Sequence, residues 1–404
     1  MENASAATTT LPLAGIVVLD LGQIYQGPYC SLLLAMAGAT VIKIEPLRGE
    51  PARLRADVDV ASLPLAMLNS NKLGITLNLK AAEGRELFLQ LADKADVVQE
   101  NFAPGVMDRL GLGADALRAR NPRLIYASAS GYGTAGPYRD FLAMDLTIQA
   151  MSGIMEATGF PEGPPVKAGP AISDFLGGIH LYGAILTALY ARERSGQGRT
   201  VEVAMLDAVY PALCSNLGMH HATKGAGLAR TGNRHGGLSM APYNVYPTTD
   251  GYAAIICVTD EHWRSLARAM GRDDLATDAR YATHADRVKI MAEVDAVVGG
   301  WTSGLSKDEV FQAARRAHLP AAPVRGLDEI VNDPHLIERG MLQRLEHPDL
   351  GSVVLPTTPL RLSDAPPPTL QPSPRLGQHN AQVYGDWLGL DPTAIEALRE
   401  AKVI

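Results

Sequence analysis

The stretch IVVLDLGQIYQGPYCSLLLAMAGATVIKIE, residues 16–45, decides the fold. Its first six residues, Ile16 to Leu21, read as a strand buried on both faces, because an apolar run this short and this continuous suits a parallel sheet. Gly27-Pro28 then opens a helix, with proline early in the first turn where its missing N–H costs nothing. Apolar residues carry that helix from Tyr29 to Met36, and Gly38 ends it. Thr40 to Glu45 is a second strand, closed by Pro46. Strand, helix and strand within about 30 residues make a βαβ unit, and so predict a Rossmann-like parallel sheet. The turn after the first strand reads GQIYQG and lacks the GxGxxG dinucleotide fingerprint, which argues against an NAD enzyme.

The theme repeats downstream. LGITLNL (residues 73–79) alternates as a strand and leads into the helix AAEGRELFLQLADKA. DVVQE (96–100) is a short strand running into Asn101-Phe102-Ala103-Pro104-Gly105 and a helix over 106–110. RLIYAS (123–128) is another strand, and it meets the turn SGYGTAGPY. Ligands collect at the carboxyl ends of strands in such sheets. Small and polar residues follow three of these strands, as GQIYQGP, ENFAPG and SGYGTAG, which marks one rim of the sheet as a binding face.

The second half changes character. SGQGRTVEVAML is a turn and a strand, 207–230 is helical and then loop-like, and Gly, Pro and Asn break the pattern over 231–251, as at a domain boundary. A strand at YAAIICV and helices with Trp263 and Trp301 suggest a smaller α+β domain up to about residue 325. GSVVLPTTPLRL reads as a hairpin-like pair, APPPTLQPSPRLG as an extended proline-rich tract, and 392–401 as a closing helix. The domain reading is a disordered lead-in over 1–12, a large Rossmann-like domain beginning over 13–215, a linker and small domain over 216–330, and a return to the large domain over 331–404.

Composition bounds the function. The chain has 404 residues, a net charge of −7 and 47% apolar residues, the balance of an ordinary globular protein rather than a nucleic-acid binder. Cys30, Cys214 and Cys257 stand far apart, with no metal spacing and no disulfide framework, which fits a reducing cytoplasm. The ten histidines form no HExxH, and His220-His221 is an isolated pair, so no metal is expected. The N-terminus does not read as a signal peptide, and the longest near-apolar run, over 179–191, is too short to span a bilayer.

One carboxylate stands out. Asp174 begins the most apolar helix pattern in the chain, over 175–194, where Phe175, Leu176, Ile179, Tyr182, Ile185, Leu186 and Leu189 recur at helical spacing. Two readings are open. Asp174 is an N-cap that accepts from the free N–H groups of the helix start, or it is a nucleophile kept ionised there in apolar surroundings.

Taken in order, these motifs resemble the class III (carnitine/formyl-CoA) coenzyme A transferases. The resemblance runs from Leu13 to Ile404 and rests on LDLGQIYQGPYCSLLLAMAGATVIKIEP, NSNKLGITLNLKAAEGRELFLQLADKADVVQENFAPGVMDRLGL, NPRLIYASASGYGTAGPY, QAMSGIMEATG, SDFLGG and PRLGQHN. It implies an α/β fold: a Rossmann-like large domain and a smaller α+β domain, each subunit an open ring interlocked with a second copy in a homodimer. It implies a cytoplasmic enzyme that moves coenzyme A from an acyl-CoA, succinyl-CoA among them, to a carboxylic acid. No metal, no cofactor beyond the CoA thioester, no nucleic acid and no membrane is expected.

Residue by residue, the resemblance gives Asp174 the part of nucleophile and carrier of an aspartyl-CoA thioester. Tyr25 and Gln26 match positions that meet the CoA chain or the acyl group. Leu77, Asn78 and Lys80 match a CoA-contacting strand end, Asn101, Phe102 and Ala103 a CoA loop, and Arg109 a basic residue near the phosphates. Met144 and Asp145 fall in the same CoA-binding set. Gly236 and Gly237 match a loop over the acyl intermediate, here RHGGLSM, with fewer glycines than the formyl-CoA members have. Met144 stands where formyl-CoA transferases carry Tyr and the related α-methylacyl-CoA racemases carry His. Losing that His removes one of the two acid/base groups a racemase needs, and counts against a racemase or epimerase on the same fold. A non-catalytic CoA-binding protein is the other rival, and the intact Asp174 weighs against it. Pro46 replaces a basic residue that some members use for the nucleotide, with Arg48 or Arg53 as substitutes. Arg230, Arg234, His235 and Lys167 are candidates to hold a second carboxylate of the acyl group.

Overall fold

The computed structural model describes residues 11–54, 59–363, 365 and 368–404, with 59–62 as backbone only. Of the lead-in expected over 1–12, residues 1–10 lie outside the described residues. The chain divides into two compact units. The first holds residues 1–148, 171–209 and 331–404; the second holds 149–170 and 210–330.

The first unit is built on a six-stranded sheet: β1 (Val17–Asp20), β2 (Thr40–Glu45), β3 (Leu73–Thr76), β4 (Val97–Glu100), β5 (Ile125–Ser130) and β6 (Thr200–Ala204). Their spatial order is β3-β2-β1-β4-β5-β6, with every neighbouring pair parallel. In this doubly wound order the crossovers leave in opposite directions from β1 and β4, so their carboxyl ends open a crevice between them. The expected βαβ unit is there, with helix α1 (Gln26–Met36) between β1 and β2. Val18, Val41, Val97, Ile125 and Ala127 form one sheet face, covered by α1 and the long helix α3 (Ile172–Ser195) through Leu34, Leu181, Ile185 and Ala188. Leu19, Ile42, Ile75 and Val98 form the other face. It is covered by helix α2 (Ala82–Asp93) through Phe88 and Leu91, and by the chain end through Tyr384, Val403 and Ile404.

The α3 helix corrects one sequence expectation. It runs 24 residues, close to the helix read over 175–194, and is long and apolar enough by length and composition to cross a membrane, where the apolar run over 179–191 reads as too short. Its apolar length is used here as sheet cover.

The C-terminal tract explains why PRLGQHN is where it is. Strand β3 is the edge of the sheet and would expose a row of unpaired backbone groups. Gly74 N donates to His379 Nδ1 at 2.9 Å, Thr76 N donates to Asn380 Oδ1 at 2.9 Å, and Tyr384 OH donates to Thr76 O at 2.7 Å. These side chains, with His379 N donating to Gly74 O at 2.9 Å, thus take the place of a seventh strand.

The second unit carries an antiparallel sheet of β7 (Tyr243–Thr248), β8 (Gly251–Ile256) and β9 (Ala321–Pro323). Its core centres on Trp263, Tyr281, Val294, Val298 and Val310. The stretch 231–251 therefore contains a strand, and its Gly-Pro-Asn composition hid it. The hairpin near the C-terminus also differs from expectation. GSVVLP (β11, Gly351–Pro356) pairs backwards with β10 (Leu342–His347), not forwards with PLRL.

Candidate active site

The site starts with the loop between β1 and α1. Its backbone is held by buried charge. Asp20 accepts from Gly22 N at 2.8 Å, Ser31 Oγ at 2.6 Å and Lys72 Nζ at 3.0 Å. Lys43 Nζ reaches Gly22 O at 3.0 Å and Glu50 at 2.8 Å. The other Glu50 oxygen accepts from Ile24 N at 2.8 Å. Burial pushes the Asp20 pKa up, but Lys72 and Lys43 more than reverse it and hold the carboxyl below its usual range. Burial likewise lowers Lys72, to about 8, against the pull of Asp20. Ile24 sits at φ 64°. A β-branched residue in that region is strained, and such strain persists only where the surroundings over-determine it; the Glu50 bond and the buried pairs do so.

The crevice brings this loop to the one after β4. Asn101 joins them by accepting from Gln23 N at 2.7 Å and donating from Nδ2 to Gln23 O at 3.0 Å. Glu100 holds the next residue, accepting from Phe102 N at 2.7 Å. Burial raises Glu100 to about 7, and its bonds from Ser128, Phe102 and Tyr126 work against that rise.

Two cavities open on these loops, and both use Gln23 and Phe102 as wall. One, of about 520 Å³, is lined by Ile44, Pro46, Leu47, Leu77, Asn78 and Leu110, with Arg48, Lys80 and Arg109 around it. Those three cations make no ion pair among the described residues. Arg53 takes no part, since it binds Glu45 at 2.8 Å and 2.9 Å. Asn78 is fixed from the chain end, with its N–H on Val403 O at 2.8 Å and its Nδ2 on Lys402 O at 3.2 Å.

The other cavity, of about 370 Å³, is lined by Ile24, Gln26, Asn101, Ala103, Ser130, Phe141, Leu142, Met144, Met205 and Asp174, among others. It draws on all three turns that the sequence marked. Asp174 is 8% exposed. It is not the cap of α3: the N-cap is Ala171, and Asp174 lies in the first turn. Asp145 serves the helix start instead, accepting from Ser173 N at 2.8 Å. Asp145 lines neither cavity, and neither does Tyr25, whose ring stacks on Phe175 at 6.3 Å.

Close approach of α1 and α3 shapes this end. A Cβ on Gly177 would lie 2.6 Å from Gln26 Nε2, and one on Gly178 would lie 2.7 Å from Gln26 O. SDFLGG is therefore a contact surface as well as a carrier of Asp174. Gln26 is 2% exposed and its Nε2 has no hydrogen-bond partner. A buried donor left unmade costs about 1–3 kcal/mol. No local pattern signals this amide's state, because only the packing of two helices creates it.

The family model of CoA-transferase family III matches residues 13–380. The chain belongs to CoA-transferase family III. Over 98% of its length it is 38% identical to a formyl-CoA:oxalate CoA-transferase of Streptomyces avermitilis, the whole of which is covered. A succinyl-CoA–D-citramalate CoA-transferase of Chloroflexus aurantiacus is 38% identical over 97% of this chain and 98% of its own. A CAIB/BAIF family protein from Brucella suis has a TM-score of 0.82 and 33% identity, covering 94% of this chain and 100% of its own. The parallel sheet with a separate antiparallel one is thus the architecture of this CoA-transferase family, and CoA thioesters are its substrates.

The other residues singled out in this CoA-transferase lie in its second unit. Gly237 N donates to His235 Nδ1 at 3.2 Å, and Ser215 Oγ lies 3.3 Å from His235 Nε2. A Cβ on Gly236 would lie 2.9 Å from the Asn216 side chain. Arg230 pairs with Glu156 at 2.9 Å and Arg234 with Asp295 at 2.7 Å, while Lys167 Nζ donates to Ala168 O and Gly169 O. Among the described residues there is no group of three or more His, Cys, Asp or Glu able to hold a metal.

Proposed function

We propose that the enzyme transfers CoA from an acyl-CoA to a carboxylic acid through an aspartyl-CoA thioester at Asp174. The observation that carries this reading is the sharing of Gln23 and Phe102 by a cation-rimmed cavity and one that contains Asp174 with amide, hydroxyl and apolar side chains around it. CoA has a phosphate-bearing nucleotide at one end and the thioester at the other, so one molecule lying past Phe102 would meet Arg48, Lys80 and Arg109 with the first and Asp174 with the second. Leu77 and Asn78 would border the nucleotide, and Asn101, Ala103 and Met144 the thioester arm.

The chemistry follows from a carboxylate in that setting. Asp174 attacks the thioester carbonyl, forming a C–O bond and breaking C–S, which gives a mixed anhydride and CoA thiolate. The thiolate attacks the Asp174 carbonyl, forming aspartyl-CoA and releasing the first acid as its carboxylate. The acceptor carboxylate attacks aspartyl-CoA, and the released thiolate then takes the new acyl group and frees Asp174. No step consumes water or a proton, and each is easier than direct exchange.

Succinyl-CoA is the first donor to try, since three relatives, from Chloroflexus aurantiacus and Haloarcula marismortui, have succinyl-CoA in their names. A racemase is disfavoured because, among the described residues, no His, Lys or Arg lines the Asp174 cavity to act as second base. Gly236 and Gly237 are proposed to cover the acyl group on the strength of the resemblance alone. The interlocked homodimer is proposed on the strength of the resemblance to the family. A cytoplasmic setting is supported by three cysteines without a disulfide.

The test is a mass-spectrometric screen of acyl-CoA donors against carboxylic acids, combined with hydroxylamine trapping. Exchange with a hydroxamate on the peptide containing Asp174 is the expected result. Wild-type turnover by Asp174→Ala ends the reading.

A further inference from the structure

We propose, on the reading that Asp174 is the nucleophile, that Gln26 is a catalytic residue whose Nε2 donates a hydrogen bond to the acyl carbonyl oxygen as it becomes an oxyanion. Three observations carry this. Several buried side-chain polar atoms have no hydrogen-bond partner among the described residues: they belong to Gln26, Gln99, Arg118, Ser173, Arg192, Arg230, His284 and to Glu50, whose oxygen is met by the Lys43 ion pair. Of these residues only Gln26 lines the Asp174 cavity. The atom left over is a donor, which is what an oxyanion needs and what neither Asp174 nor the apolar wall can give. Finally, Gly177 lies one turn along α3 from Asp174, on the same helix face, and it is against Gly177 that the amide rests: a Cβ there would fall 2.6 Å from Nε2. The missing side chain at 177 is what lets amide and carboxylate share one wall.

A turn of the amide about its last bond brings the N–H to the cavity side. There it meets a carbonyl oxygen that is a weak acceptor in the thioester and a strong one in the tetrahedral intermediate. A bond that strengthens on the way to the transition state raises kcat. The same donor serves both halves of the exchange, because the oxyanions of acyl transfer to and from Asp174 all form beside that carboxylate. Protons are not transferred; the amide only donates its hydrogen bond.

Two variants test it. Gln26→Met keeps the length and removes the N–H. Gly177→Ala keeps Gln26 but pushes the flexible end of its side chain aside, and it suits a helix better than glycine does. Both are expected to lower kcat by about 10²–10³-fold, the usual effect of losing one such donor, with KM for acyl-CoA within about threefold of wild type. Hydroxamate at Asp174 should form more slowly in proportion. Turnover within about threefold of wild type in either folded variant overturns the proposal, as does a change confined to KM or thermal stability, which is what packing alone would give. The two readings fail separately. If wild-type enzyme gives no adduct at Asp174, the nucleophile is wrong; if both variants label Asp174 at the wild-type rate, only the role of Gln26 is wrong.

Discussion

The Asp174 cavity and the cation-rimmed cavity share a wall and differ in almost everything else. The larger is rimmed by Arg48, Lys80 and Arg109, all exposed and none in an ion pair among the described residues. The smaller has, among the described residues, no Lys, Arg or His in its lining, and offers aromatic and aliphatic side chains, amides, the Ser130 hydroxyl and one carboxylate. Cations held at the surface attract a phosphate without a large desolvation cost, and they keep that ability because no protein carboxylate neutralises them. A cation beside Asp174 would instead lower the carboxylate's reactivity toward the acyl carbon. The difference teaches that affinity and chemistry are kept apart, with charge used for holding at one end and withheld at the other.

The sharpest way to break that contrast is Asp174→Asn. On the proposed reading kcat falls on the order of 10⁶-fold, as for a deleted covalent nucleophile, while the dissociation constant of free CoA by calorimetry stays near wild type. Loss of CoA binding in this variant would show that the two cavities are not separate in function.

Next in size is the buried charge beneath the wall that joins them. Glu50→Gln leaves Lys43 buried with its strongest partner gone and loosens Ile24. A cost of about 3–5 kcal/mol in urea unfolding is expected. A change under about 1 kcal/mol would mean that the loop holds its strained shape without the pair.

Glu100 gives a pH test. Its folded pKa, about 7, lies above the ordinary 4.5, so the folded protein holds an extra proton between those values. That contribution to stability is fully present below pH 4.5 and is lost as pH rises to about 7, on the order of 3 kcal/mol in all. Comparing unfolding of wild type and Glu100→Gln at pH 5 and pH 8 should show the wild type losing ground by that amount. Parallel curves would place the Glu100 pKa near its ordinary value.

The smallest expected effect is at the cationic rim. Arg109→Ala should raise KM for acyl-CoA about tenfold with kcat unchanged, and the penalty should shrink as salt is raised. An effect on kcat instead would put Arg109 in the chemistry.

Much of the fold was legible in the sequence. The run 40–45 alternates little and is bounded by Gly38 and Pro46, so its strand was plain, and β2 matches it at Thr40–Glu45. The strand Tyr243–Thr248 was hidden because it contains Asn and Pro and sits among glycines, and only pairing with Gly251–Ile256 makes it a strand. Asp174 was conspicuous, yet its capping alternative was decided by Asp145, a residue 28 positions away in sequence.

Sequence alone determined the βαβ order, the three loops on one rim and the presence of a carboxylate at the head of an apolar helix, because these depend on local periodicity and turn chemistry. The tertiary structure alone decided which charges are spent and which are left: Arg53 is bound to Glu45 while Arg48 stands in a cavity wall, and a glutamine amide is shut away beside Gly177. Pairing, burial and helix-to-helix distance depend on residues far apart in the chain, and no local pattern encodes them.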